Sequence, residues 1–95
     1  MNRGRPLARL MCDYRAEWPL WLDDLRNPED LALTDGLVVD VKAWQQHFES
    51  HFHWERGWDT EAGKHWHADE GARLARALEA EIGRDYRVEL DTYDD

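Results

Sequence analysis

The chain has 95 residues, 21 acidic and 12 basic, for a formal charge of −9, and six of its residues are tryptophan. That length supports one domain around one core, so residues 1–95 read as a single domain, with 1–6 and 93–95 expected to fray. The charge sets the molecule against nucleic acid and anionic membrane, since either would add like-charge repulsion in place of counterion release; a partner should be a basic protein.

No stretch approaches the about 20 apolar residues of a membrane helix. Asp13 follows the basic N-terminus too soon for the apolar core of a signal peptide. Cys12, the one cysteine, has no intrachain partner, so a reducing, cytoplasmic setting is expected.

Ala8, Leu10, Cys12 and Tyr14 alternate with Arg9, Met11, Asp13 and Arg15, the period of a half-buried strand. Residues 16–35 then form a long acidic, tryptophan-rich connection punctuated by Pro19 and Pro28. In so small a domain such a connection is either functional or holds a short helix. Asn27, Pro28 and Glu29 suit one helical turn with proline at its first position.

From Gly36 onward Leu37, Val41, Trp44, Phe48 and Phe52 recur at helical spacing, with Thr34 or Asp35 as N-cap. The stretch from Trp54 to Trp58 ends this helix, with Gly57 able to take a left-handed conformation. Asp59 or Thr60 starts a second helix, whose apolar face is Gly71, Leu74, Ala75, Leu78 and Ile82, and Gly83 closes it. Tyr86, Val88, Leu90 and Thr92 then alternate with charged residues as a second strand. The predicted fold is α+β: β-(long loop)-α-α-β, with an antiparallel helix pair packed on a small sheet. Two strands alone are marginal in water, so the helices must cover them or another chain must extend them, and a structural homodimer joined by strand edges is one reading.

Histidine chemistry is a second reading. His47 and His51 stand four apart on the first helix, but Glu49 falls on another face, so the zincin pattern is absent. His51 projects within about 20° of Trp44, and His67 about as near to Leu74. Both are therefore expected to face the interior, either as hydrogen-bonded core-margin residues or as ligands of a divalent metal such as zinc, completed by Asp69 or Glu70. His47, His53 and His65 are expected at the surface. Catalytic constellations are weak. Cys12 falls on the inward side of a strand, where a thiol is inert, the glycines lack phosphate-loop spacing, and no enzyme activity or required cofactor is predicted.

The binding reading rests on Glu17, Trp18, Pro19, Leu20, Trp21, Leu22, Asp23 and Asp24. Indoles and leucines here alternate with carboxylates, the composition of an aromatic anchor ringed by charges that steer a basic partner. The alternative is that Trp18 and Trp21 fold back to cap the core. Trp54 and Trp58, flanking the turn between helices, form a second candidate patch, while Trp66 lies at the edge of the apolar stripe.

The segments Glu17-Trp18-Pro19-Leu20-Trp21, His51-Phe52-His53-Trp54-Glu55-Arg56-Gly57-Trp58, Glu70-Gly71-Ala72-Arg73-Leu74-Ala75-Arg76 and Tyr86-Arg87-Val88-Glu89 together resemble small uncharacterised proteins of actinobacterial type. That likeness spans most of the chain and implies no chemistry for any residue. In size and acidity the chain is also similar to immunity proteins, which block toxic nucleases by covering basic active sites. The second likeness implies an inhibitor of the immunity or antitoxin kind, with a toxin as its basic partner.

Overall fold

The first strand, β1, is Leu7–Leu10, shorter than the alternation predicts. Ala8 and Leu10 are fully buried while Arg9 is exposed. The inward side continues past the strand to Cys12, which is also fully buried and whose Sγ donates to the Trp44 carbonyl at 3.9 Å. The chain reverses near Arg15, a non-glycine residue at φ 63, and Met11 N donates back to Pro19 O at 2.9 Å. This computed structural model describes residues 4–92.

The long connection therefore is not all loop. It contains a strand, β2 (Leu20–Leu22), antiparallel to β1 with Arg9 opposite Trp21. Leu20 and Leu22 point inward and Trp21 outward, the period-two alternation of a one-sided sheet. A 3-10 turn at Pro28–Asp30 follows, with Pro28 at its start as the proline position predicts.

Helix α1 spans Asp35–His51 and buries Leu37, Val41, Trp44 and Phe48, the stripe read from the sequence. Thr34 precedes it but its side chain does not cap α1. Its backbone N–H and its hydroxyl instead donate to the Glu81 carboxylate at 2.9 and 2.7 Å, tying the start of α1 to the end of the second helix. Phe52 falls beyond α1, in a two-residue strand β3 (Phe52–His53) that pairs antiparallel with β4 (Gly57–Trp58). Gly57, the first residue of β4 after the turn, sits at φ 78, a conformation that glycine adopts without steric cost.

Helix α2 spans Glu61–Ile82 and starts at Thr60, whose Oγ1 accepts from Gly63 N at 2.9 Å. The contacts Thr34–Glu81, Asp40–Arg73, Trp44–Gly71 and His47–Gly63 run in opposite chain directions, so the two helices are antiparallel. At Gly71 an added Cβ would come within 2.9 Å of Trp44 Cζ2 and 3.0 Å of Leu90 Cδ1, so the missing side chain is what lets the Trp44 indole lie against α2.

The last strand, β5 (Arg87–Leu90), pairs with β1 in parallel, giving the sheet order β2-β1-β5. Parallel neighbours need a long crossover, which the helix pair supplies. The fold is α+β, as predicted, with the order β-β-α-(β-β)-α-β replacing the predicted two-strand chain. Of the ends expected to fray, residues 1–3 and 93–95 lie outside the described residues, whereas Pro6 is tied in through its carbonyl, which accepts from Arg87 N at 2.9 Å.

Candidate partner-binding surface

The β1–β2 side of the molecule places its aromatic and acidic residues differently from one another. Trp21 projects from the outer face of β2 and stays 44% exposed, its indole N–H donating to Met11 O at 2.9 Å. That bond fixes the ring's orientation while leaving its apolar surface open. Trp18 is half-buried against the core, with the Lys42 ammonium 4.8 Å from its ring centre, a cation over a π face. Glu17 and Asp23 are exposed beside them.

Asp24 is exposed too, but it is committed. Its Oδ2 accepts from the Tyr86 hydroxyl at 2.7 Å and its Oδ1 from Arg26 N at 3.2 Å. The Tyr86 bond, ahead of the other influences, holds the Asp24 carboxyl below its ordinary range, because it stabilises the charged form. This residue fastens the turn after β2 to the chain before β5.

Sequence reasoning passed over Gln45, a buried amide on α1. Its Nε2 donates to Asp13 O at 2.6 Å and to Glu49 Oε2 at 2.7 Å, while Arg15 N donates to the same Glu49 oxygen at 3.1 Å. These bonds hold the β1–β2 connection against α1. The signal available in the sequence was position alone: Gln45 adjoins Trp44 on a helix with an apolar stripe, which suggests a stripe margin and no particular role.

At the opposite end, the β3–β4 hairpin separates the two tryptophans that the sequence grouped together. Trp54 stands 70% exposed, stacked on His53 at 5.8 Å. Trp58 turns inward and packs on Phe52 at 5.2 Å, His67 at 4.8 Å, His47 at 5.8 Å and Phe48 at 6.1 Å. Trp58 is thus a partly buried member of an aromatic cluster, whereas Trp54 presents its indole to solvent.

The histidines are redistributed as well. His67 is 1% exposed, stacked on Trp44 at 4.4 Å, and neither of its ring nitrogens has a hydrogen-bond partner among the described residues. Burial first, and then the nearby His47, pushes its pKa down to about 4. His47, expected at the surface, is half-buried instead, with its ring 4.6 Å from that of His51 and 6.4 Å from that of His67. His51, expected inside, keeps 42% of its side chain exposed, with Nδ1 2.9 Å from Asp59 Oδ2. The rotation that places Trp44 deep between the helices carries His47 inward with it, and the helix ends at His51, where the hairpin's Asp59 competes for the ring. No group of three or more His, Cys, Asp or Glu among the described residues is placed to hold a metal ion.

Cys12 is inaccessible, and burial pushes its thiol well above the ordinary range, which suits packing and not nucleophilic attack. No described helix is long and apolar enough to cross a membrane. The model of the family described as Serratia CdiI immunity protein-like matches residues 7–93. The chain belongs to that family. The match takes in every described strand and both helices of this immunity-protein-like chain. It bears on the likeness to immunity proteins and not on actinobacterial origin. No curated protein matches the chain.

Proposed function

We propose that this protein is an immunity-type inhibitor that binds a toxin stoichiometrically, in the cytoplasm and without turnover, and that its partner is basic. The observation that carries the reading is membership of an immunity-protein-like family over residues 7–93. The formal charge of −9 supports a basic partner, because complementary potentials speed encounter and disfavour wrong partners.

The contact surface in this reading is the β1–β2 side. Trp21 is the aromatic anchor, Trp18 its half-buried neighbour, and Glu17 and Asp23 are the steering charges. Asp24 contributes charge from a fixed position. Trp54 supplies a second, separate anchor at the β3–β4 turn. Exposed tryptophans are over-represented among residues that dominate interface energetics, and a fixed ring loses little freedom on docking.

The test is binding to candidate toxins, the products of the genes adjacent to this protein's own being tried first. A one-to-one complex is expected, with association slowing as salt rises, and with Trp21→Ala raising the dissociation rate far more than it lowers the association rate. If no complex forms, the immunity reading fails; if Trp21→Ala binds unchanged, the β1–β2 surface is the wrong one.

A further inference from the structure

A groove runs beside Trp18 between the β1–β2 connection, the 3-10 turn and α1, lined among others by Glu17, Glu29, Lys42, Gln45 and Glu49. With Arg15 at its margin, three carboxylates stand against two cations, so its net charge is negative.

Two further observations say what chemistry it lacks. Gln45 is only 3% exposed, and its Oε1 has no hydrogen-bond partner among the described residues. Its amide cannot simply be turned round. The other end faces two acceptors, Asp13 O and the Glu49 carboxylate, and exchanging oxygen for nitrogen would set oxygen against oxygen. Gln45 lines the groove, so a fixed acceptor wanting a donor lies buried just under the groove wall, and a buried acceptor without one is costly. The second observation is the Lys42 ammonium over the Trp18 ring. That ring face already receives a cation, delivered by a long, exposed side chain with no ion pair among the described residues.

We infer that this groove takes an arginine side chain of the partner, whose guanidinium stacks on Trp18 in place of Lys42, donates to the flanking carboxylates and, with the side chains over it drawn aside, reaches Gln45 Oε1. Arginine suits it better than lysine. A planar guanidinium stacks on an indole and still presents five donors in a rigid fork, whereas an ammonium is a compact, strongly hydrated point charge. Lys42 acts as a resident stand-in that keeps the ring face covered until the partner arrives. The identity of the occupant rests on the immunity reading; the pocket's chemistry does not.

The experiment uses isotopically labelled protein titrated with argininamide, and with citrullinamide as the neutral isostere, following the Trp18 indole N–H and the Gln45 side-chain amide by NMR. Saturable shifts of both signals with argininamide alone are expected. Lys42→Met, an exposed change that leaves the core untouched, is expected to tighten argininamide binding several-fold by vacating the ring face. Absent shifts, equal shifts with citrullinamide, or binding no tighter in Lys42→Met would each overturn the proposal. A toxin complex that forms while argininamide fails would remove this pocket and leave the immunity reading standing.

Discussion

Both ends of the molecule are built from tryptophan and charge, yet they treat the same side chain in opposite ways. Between the helices Trp44 is fully buried, with its indole N–H given to His67 O at 2.9 Å and one face to the His67 ring. Trp58 is similarly enclosed by rings. On the β1–β2 side Trp21 also has its N–H satisfied internally, by Met11 O, but its faces are left open. The comparison teaches that a satisfied indole N–H says nothing about burial. What separates core from anchor is whether a second layer covers the ring, and the outer face of the sheet carries no such layer among the described residues.

The sharpest way to break the comparison is to delete one enclosed indole and one open one. Trp44→Ala should lower stability by about 3–5 kcal/mol, the range for emptying an aromatic core site, read as a drop in the urea midpoint. Trp54→Ala should stay within about 0.5 kcal/mol of the parent, as exposed substitutions do. Equal losses would mean that the hairpin indole is structural.

Acid provides the next largest effect. His67 has its pKa pushed from 6.5 to about 4, so the unfolded chain takes up a proton at pH values where the folded one does not. Stability from this group is therefore full above about 6.5 and declines as pH falls toward about 4, by up to about 3 kcal/mol in all. His47, lowered mainly by burial, acts in the same direction. His67→Phe keeps a ring against Trp44 and should flatten the decline in that window, which chemical denaturation at a series of pH values will show. An undiminished slope in the variant would mean that other groups dominate. Asp24, whose carboxyl is lowered, contributes only further down, losing its stabilisation as pH falls below the ordinary carboxylate range.

A smaller effect than that of acid belongs to the tie across the sheet. Tyr86→Phe removes the donor to Asp24 and should cost about 1 kcal/mol, typical of one hydrogen bond. Asp24 stays exposed to water after that change, and the midpoint shift should vanish when Asp24 is also substituted.

The helices were legible from residue pattern because each has a long stripe and a defined start. The stripe Leu37, Val41, Trp44, Phe48 matches the buried set of α1, and Thr60 caps α2 as its residue type predicts. β2 escaped notice because three residues are too few for an alternation to stand out, and Pro19 immediately before it reads as a break. The parallel pairing of β1 with β5 has no local signature, since it depends on the crossover of everything between. At the candidate surface, the composition around Trp18 and Trp21 falls on a stretch where one indole, Trp21, is exposed with carboxylates near by. It could not separate Asp24, committed to Tyr86, from Asp23, because that distinction depends on a residue 62 positions away. The assignments of His47 and His51 failed for a related reason. An ideal helical projection sorts faces, but where α1 stops and which residue of the following turn reaches back decide between His47 and His51.

The pairing of Leu7 with Arg87 also sets a schedule for the cell. β1 is synthesised before the helix pair and its neighbour β5 after it, so one edge of β1 stays open until β5 has been made. Contacts spanning that much chain close late, and a product that stops short of residue 87 retains β2 and both helices while exposing an unpaired strand edge, a template for aggregation. A copy that stops before β5 is therefore not a weaker version of the domain: the sheet closes only once its last strand has been made.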